Sequence, residues 1–306
     1  MERLGRLAAL IAQSTGAGDG IYETAIKDVY FSRYSNAEGA RSSIDRAVMC
    51  VVAQGAKAIL VNGARHVYDS SRYLVVPLAL PLVGEVVNAS PEKPFLGVSI
   101  VLDYSVIGAL LLESGPATAD ERADGRSHFV SPMDDDMFDA VSRLAVLAGK
   151  PKDIAVLAPL LRREISYRLL QGENGWMLQR MTTADGHARR IVAGLEYLKR
   201  NAARTVRMGE LAREMNMSTS AMHYWFRTVT SMSPVQFQKQ LRLQEARRIL
   251  LSESSDAASA GHRVGYESPS HFSREYRRLF GLPPLQDIER LRGGADASVP
   301  IQKFAP

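Results

Sequence analysis

The side chains best equipped for chemistry in this 306-residue chain gather in YESPSHFSREYRRLFG, residues 266–281. Ser270, His271, Arg274, Arg277 and Arg278 fall on one side of a helical repeat. Phe272, Tyr276 and Leu279 fall on the other, with Phe280 beside them. Ser268 is placed to cap the helix, Pro269 suits its first position, and Gly281 with Pro283-Pro284 ends it. Guanidinium forks at this spacing grip phosphates or the O6/N7 edge of guanine; they perform no covalent step. Arg274 is the expected base reader, with Ser270 and His271 on the same edge. Arg277 and Arg278 are expected to meet phosphates. Taken alone, such a helix is more often just a solvated basic surface.

A second copy changes that weighting. MSTSAMHYWFR, from Met217, repeats ESPSHFSREYR, from Glu267, in kind. Ser218 parallels Ser268 as cap. Met222 and Phe226 parallel Phe272 and Tyr276 as core. Ser220, Ala221, Tyr224 and Arg227 are left outward. Trp225 reads equally as a partly buried aromatic or a DNA contact. Met208, Leu211, Ala212 and Met215 form a short preceding helix, and NMS a tight turn, which makes a helix-turn-helix. The two units are joined by PVQFQKQLRLQEARRILL, one amphipathic helix. Such a connector can hold two recognition helices in consecutive major-groove turns of duplex DNA.

Other chemistry is poorly served. The chain has no G-x-S-x-G, no Gly-rich phosphate loop and no H-x-x-x-H, so neither a catalytic residue nor a cofactor is expected. His66 and His128 are far apart in sequence, and no metal site is expected. The lone cysteine, Cys50, lies in the apolar run VMCVV and reads as core. One further pair stands out. Arg122 and Arg126 in DERADGRSH could clamp phosphates or a guanine edge, although Asp120, Glu121 and Asp124 could equally pair with them.

The elements that must position these residues divide the chain. Its 46% hydrophobic and 23% charged residues are those of a soluble globular protein. Residues 189–292 hold 18 Lys and Arg against 10 Asp and Glu, a net +8, whereas residues 1–188 carry 19 against 22, a net −3. A basic third on a slightly acidic body points to a polyanion-binding module beside a different activity. Residues 2–15 read as an amphipathic helix. From about Val48 to Leu102 the chain is rich in β-branched residues and turn signals, Asn62-Gly63 among them, and reads as antiparallel strands of a small barrel or sandwich. Residues 113–132 read as a polar connection, 134–171 as two helices, and GENGWMLQRMTTADGH as an interdomain segment. The expected fold is α+β. Residues 1–185 form a sensing and dimerisation domain, 186–292 an all-helical DNA-binding domain, and 293–306 a loose tail. No stretch is long and apolar enough for a membrane span, and the N-terminus lacks a signal-peptide core, so a cytoplasmic location is expected.

MSPVQFQKQLRLQEARRILL and VGYESPSHFSREYRRLFGLPP resemble the DNA-binding region of the AraC/XylS family of bacterial transcription regulators. VVAQGAK, YLVVPLALPL, ASPEKPFLG and APLLRREISYRLLQG are similar to the cupin-like N-terminal region of one branch of it. The resemblance implies promoter DNA as partner, a small-molecule effector, a homodimer formed through N-terminal-domain helices, and contact with RNA polymerase if the protein activates. Ala257 and Gly261 depart from the family pattern by weakening the first helix of the second unit; Tyr224 and Trp225 depart from it by favouring apolar contact over charged readout. The Arg122/Arg126 spacing is similar to the arginine motif of PilZ domains, which makes cyclic di-GMP a candidate effector; the NASPEK stretch lacks the glycine of the second PilZ element. A small aromatic or aldehyde effector inside the barrel, and a non-responsive DNA-binding protein, are the alternatives.

Overall fold

The computed structural model describes residues 2–37, 41–44, 46–61, 64–115, 127–182, 186–253 and 255–293. These residues form an α+β chain. It opens with α1 (Glu2–Thr15) and nine strands: β1 (Gly20–Glu23), β2 (Val29–Tyr34), β3 (Arg41–Ile44), β4 (Val48–Gln54), β5 (Ala56–Val61), β6 (Ala64–Asp69), β7 (Arg72–Val76), β8 (Leu82–Asn88) and β9 (Phe95–Val101). Helix α2 (Tyr104–Ser114), strand β10 (Phe129–Pro132) and helices α3 (Asp135–Leu147), α4 (Pro151–Gln171) and α5 (Gly175–Thr182) follow. Seven more helices complete the described chain: α6 (Gly186–Arg200), α7 (Met208–Glu214), α8 (Thr219–Thr230), α9 (Pro234–Ser252), α10 (Ala257–Arg263), α11 (Pro269–Phe280) and α12 (Pro284–Gly293). No helix among the described residues is long and apolar enough to cross a membrane.

The strands make two antiparallel sheets, a six-stranded one ordered β1-β2-β9-β4-β7-β10 and a four-stranded one ordered β3-β8-β5-β6. Alternation of side chains gives each sheet two buried faces. Cys50, Val52, Ile59, Tyr68, Leu74, Val76, Val86 and Phe95 turn into the space between the sheets. Met49, Val51, Val75, Val98 and Ile100 turn the other way, onto a layer built from α1 and α2–α5. The outer face of the smaller sheet is covered too: Val83 and Leu60 pack with Leu243 and its neighbours on α9. The Gln244 Nε2 amide donates to the Leu82 carbonyl at 3.4 Å. The smaller sheet therefore rests directly on the helix that joins the two helix-turn-helix units.

Three expectations need correction. Strands begin at Gly20 rather than near Val48, because Val29 and Phe31 are buried under α1 although charged and turn residues interrupt the apolar pattern around them. The connection at 113–132 contains β10, antiparallel to β7, with Phe129 buried. The supposed interdomain segment forms α5, whose Trp176, Met177 and Leu178 are buried against the helix layer. Elsewhere local signals are met. Asp134 caps α3 by accepting from the Met137 N–H at 2.7 Å, with Asp135 and Asp136 in the first turn. Asn62 and Gly63 lie outside the described residues, but β5 and β6 close on each other at Val61 and Ala64.

Candidate DNA-binding site

Each recognition helix is built as its residues dictate. Ser218 accepts from the Ala221 N–H at the start of α8, and Ser268 accepts from the His271 N–H at the start of α11. Pro269 occupies the first turn of α11, and Gly281 ends it in a left-handed conformation. Met222, Phe226, Phe272 and Tyr276 are fully buried, as the helical phase requires. The connector α9 starts with a full capping box between Ser233 and Gln236.

The two tight turns differ. Asn216 adopts a left-handed φ of 49° between α7 and α8, and Gly265 a φ of 87° between α10 and α11. A Cβ on Gly265 would stand 2.2 Å from the Ala203 carbonyl oxygen, so this turn needs glycine for space as well as for φ. Gly261, which lowers helix propensity in α10, has a packing reason. A Cβ there would come within 3.0 Å of the Phe272 ring, so its absence lets the central aromatic of α11 lie against α10.

Buried polar groups fix the second unit. Asp287 on α12, wholly buried, accepts from Arg247 Nε at 2.8 Å and from a second Arg247 nitrogen at 3.1 Å. The Tyr276 hydroxyl donates to the same carboxylate at 2.8 Å, and the Arg247 guanidinium lies 4.5 Å from the Phe280 ring centre. In the first unit, Tyr197 and Arg204 both donate to Glu210 at 2.8 Å, and these bonds hold its carboxyl down at about 2. Lys239 on α9 pairs with Glu275 on α11. Burial raises the Glu275 carboxyl, but the Lys239 bond and the Arg278 and His271 charges outweigh it, and the net shift is downward.

Of the residues expected at DNA, Ser220, Tyr224, Arg227, Ser270, His271, Arg274, Arg277 and Arg278 are all exposed; Ala221 is half-buried. Trp225 is partly buried and stacks on His187 of α6, ring centres 4.3 Å apart, so its main partner is within the protein. The arginines sort themselves. Arg204, Arg247, Arg248 and Arg263 are tied to carboxylates, and Arg242 and Arg292 to backbone carbonyls. Arg227, Arg274, Arg277 and Arg278 form no ion pair among the described residues. Every arginine of α8 and α11 is thus exposed without an ion pair among the described residues, as are Arg189 and Arg207 elsewhere in the helical region.

The residues expected at a ligand fare differently. Arg122 and Arg126 lie outside the described residues. His66 and His128, distant in sequence, meet at the edge between the sheets with ring centres 4.5 Å apart; among the described residues no group of three or more His, Cys, Asp or Glu is placed to hold a metal ion. Cys50 is buried and contacts the Ser99 hydroxyl at 3.7 Å. Sequence reasoning passed over Lys57. It is buried between the sheets, where a lysine is rare enough to have been a signal had the strand phase been followed residue by residue.

The family of AraC-type transcriptional regulator N-termini matches residues 25–177, and a helix-turn-helix domain family matches residues 211–290. The chain belongs to the AraC family. The relatives that match are HTH-type transcriptional regulators. Among curated relatives, the HTH-type transcriptional regulator ArgR of Pseudomonas aeruginosa is 33% identical over 86 residues, 28% of this chain and 26% of ArgR. The HTH-type transcriptional activator RhaS of Pectobacterium carotovorum is 30% identical over 104 residues, 34% of this chain and 37% of RhaS. The matched stretches thus span only about a quarter to two fifths of these relatives. Two structures of ToxT from Vibrio cholerae share the fold over nearly their whole length. An apo variant superposes with TM-score 0.59 at 9% identity, over 87% of this chain and 99% of that one. ToxT bound to an unsaturated fatty acid superposes with TM-score 0.58 at 11% identity, over 90% and 99%.

Proposed function

We propose that this AraC-type regulator reads promoter DNA with both recognition helices and that its N-terminal domain ties this to a small effector. The observation that carries the DNA reading is that all four arginines of α8 and α11 are exposed and without an ion pair among the described residues. Arg274, with Ser270 and His271, reads bases in one major-groove segment. Ser220, Ala221, Tyr224 and Arg227 serve the other, and Arg277 and Arg278 hold phosphates. The test is the salt dependence of duplex binding by the full chain. Replacing Arg277 and Arg278 by alanine should flatten the slope of log K against log salt by about 2, since each neutralised phosphate contributes ~0.9. An unchanged slope would place the DNA elsewhere.

The protein acts as a cytoplasmic homodimer in this reading. Helix α4 buries Ala158, Leu161, Ile165 and Leu169 on one side and leaves Val156 (67% exposed), Leu160 (59%) and Tyr167 (44%) at helical spacing on the other. That second stripe fits a second copy of the same helix. Contact with RNA polymerase applies if the protein activates, as RhaS does. For the effector, the candidate cyclic di-GMP at Arg122 and Arg126 draws no support from the relatives. A small molecule between the sheets is favoured by two observations: the ToxT fold has been solved with a fatty acid, and the inter-sheet space holds an uncompensated lysine.

A further inference from the structure

We infer that the space between the two sheets receives an apolar effector carrying one carboxylate, held by the Lys57 ammonium and the Tyr68 hydroxyl. This rests on the reading of the domain as a sensor and names the chemistry of what it senses.

Lys57 on β5 and Tyr68 on β6 are direct cross-strand partners, so their side chains leave the sheet on the same, inward face. Lys57 is 7% exposed and Tyr68 2%. No described residue forms a hydrogen bond or ion pair with Lys57. Among the described residues its ammonium has the Phe95 ring, 5.7 Å from Nζ, and the neighbouring Cys50 thiol. The Tyr68 hydroxyl faces Cys50 as well but makes no hydrogen bond of normal geometry. Burial pushes Lys57 below the usual lysine value, and pushes Cys50 and Tyr68 up. A buried cation without a carboxylate is strongly unfavourable, and a buried hydroxyl without a partner adds to the cost. Both deficits vanish if a ligand brings the missing anion.

The donors also define the class. One ammonium and one hydroxyl can satisfy the two oxygens of a single carboxylate. A phosphate would bring more charge and more acceptors than these groups meet. A polyol would need acceptors, whereas the buried side chains between the sheets are Ile59, Leu74, Val76, Val86 and Phe95. The site is also placed to act on DNA binding. Lys57 pairs on its other side with Val86 of β8. The opposite face of β8 carries Val83 against Leu243 of α9, and the Leu82 carbonyl holds Gln244. An effector that spreads the sheets bears on the strand that supports the connector helix, and it shifts the DNA-binding arrangement by its difference in affinity for the two states.

The test is thermal unfolding and calorimetry of the full chain with octanoate and benzoate, against octanamide and benzamide as neutral isosteres. At least one acid should bind while its amide binds on the order of tenfold or more weakly. Lys57→Met should weaken acid binding by about tenfold to a hundredfold, and Tyr68→Phe by less. Acid affinity should fall as pH rises, because the bound state needs the ammonium. Without ligand, Lys57→Met should melt at or above the parent, since it removes an unpaired buried charge at nearly constant shape. If that variant fails to fold, Tyr68→Phe with the acid and amide pair still decides. Amides binding as tightly as acids, or acid binding untouched by the substitutions, overturns the carboxylate anchor and leaves a sensor of another chemistry. No response to any of the four compounds overturns the anchor and counts against the sensor reading itself.

Discussion

Asp287→Ala should uncouple the second helix-turn-helix unit from the rest of the protein. Asp287 is wholly buried and joins α9, α11 and α12 by accepting two bonds from Arg247 and one from Tyr276. Removing the carboxylate leaves the buried Arg247 guanidinium without its counter-charge, a loss of about 3–5 kcal/mol. The Tyr276 hydroxyl loses its acceptor, which adds roughly 1 kcal/mol. Domain stabilities are typically about 5–15 kcal/mol, so a small helical unit should open well below the remainder. The chain offers a convenient assay. Its two tryptophans, Trp176 on α5 and Trp225 on α8, both lie outside the second unit. Urea unfolding followed by far-ultraviolet circular dichroism should show an early transition in Asp287→Ala that tryptophan fluorescence does not share. An Arg247→Met/Asp287→Leu double variant should recover most of the loss, because an apolar pair of similar shape carries no desolvation cost. A single transition at the parent midpoint for Asp287→Ala would refute the assignment of this network as the keystone of the unit.

Gly265→Ala should cost more than the ~1 kcal/mol of a left-handed alanine, because its Cβ also meets the Ala203 carbonyl; the same dichroism transition reports it. Glu210 has a carboxyl depressed to about 2 in the folded chain against an ordinary 4.5, so the stability it contributes is present above pH 4.5 and lost as pH falls toward 2. The melting-temperature difference between the parent and Glu210→Gln, read from Trp225 fluorescence, should therefore shrink through that window. If the proposed homodimer forms through α4, Leu160→Glu should shift the sedimentation coefficient to that of the monomer without lowering the melting temperature of the monomeric fold, since Leu160 is exposed within one chain.

The helical third was legible because its signals are local. Caps at Ser218, Ser233 and Ser268, the stop at Gly281 and the apolar knobs Met222, Phe226, Phe272 and Tyr276 each follow from a few neighbouring residues. The outward arginines followed from the same phase. What escaped was non-local. Strand β10 is defined by pairing with β7, more than fifty positions earlier, and α5 by burial under helices that its own sequence does not name. The meeting of His66 with His128 is likewise a consequence of sheet order. So are the Arg247–Asp287 pair and the inward turn of Lys57, whose meaning depends on what does not stand opposite. Gly261 looked like a defect in helix propensity until the Phe272 ring was seen against it.

The most direct measurement of the central claim is a hydroxyl-radical footprint of the full chain on the tightest duplex selected from a random pool. Two recognition helices held by α9 predict two protected segments on one face of the DNA, centred about 10 base pairs apart. Arg227→Ala should relax base preference in one segment only. Arg274→Ala should do so in the other, each at a cost of about 1–3 kcal/mol. A single protected segment, or loss of the same base preference in both variants, would contradict the account.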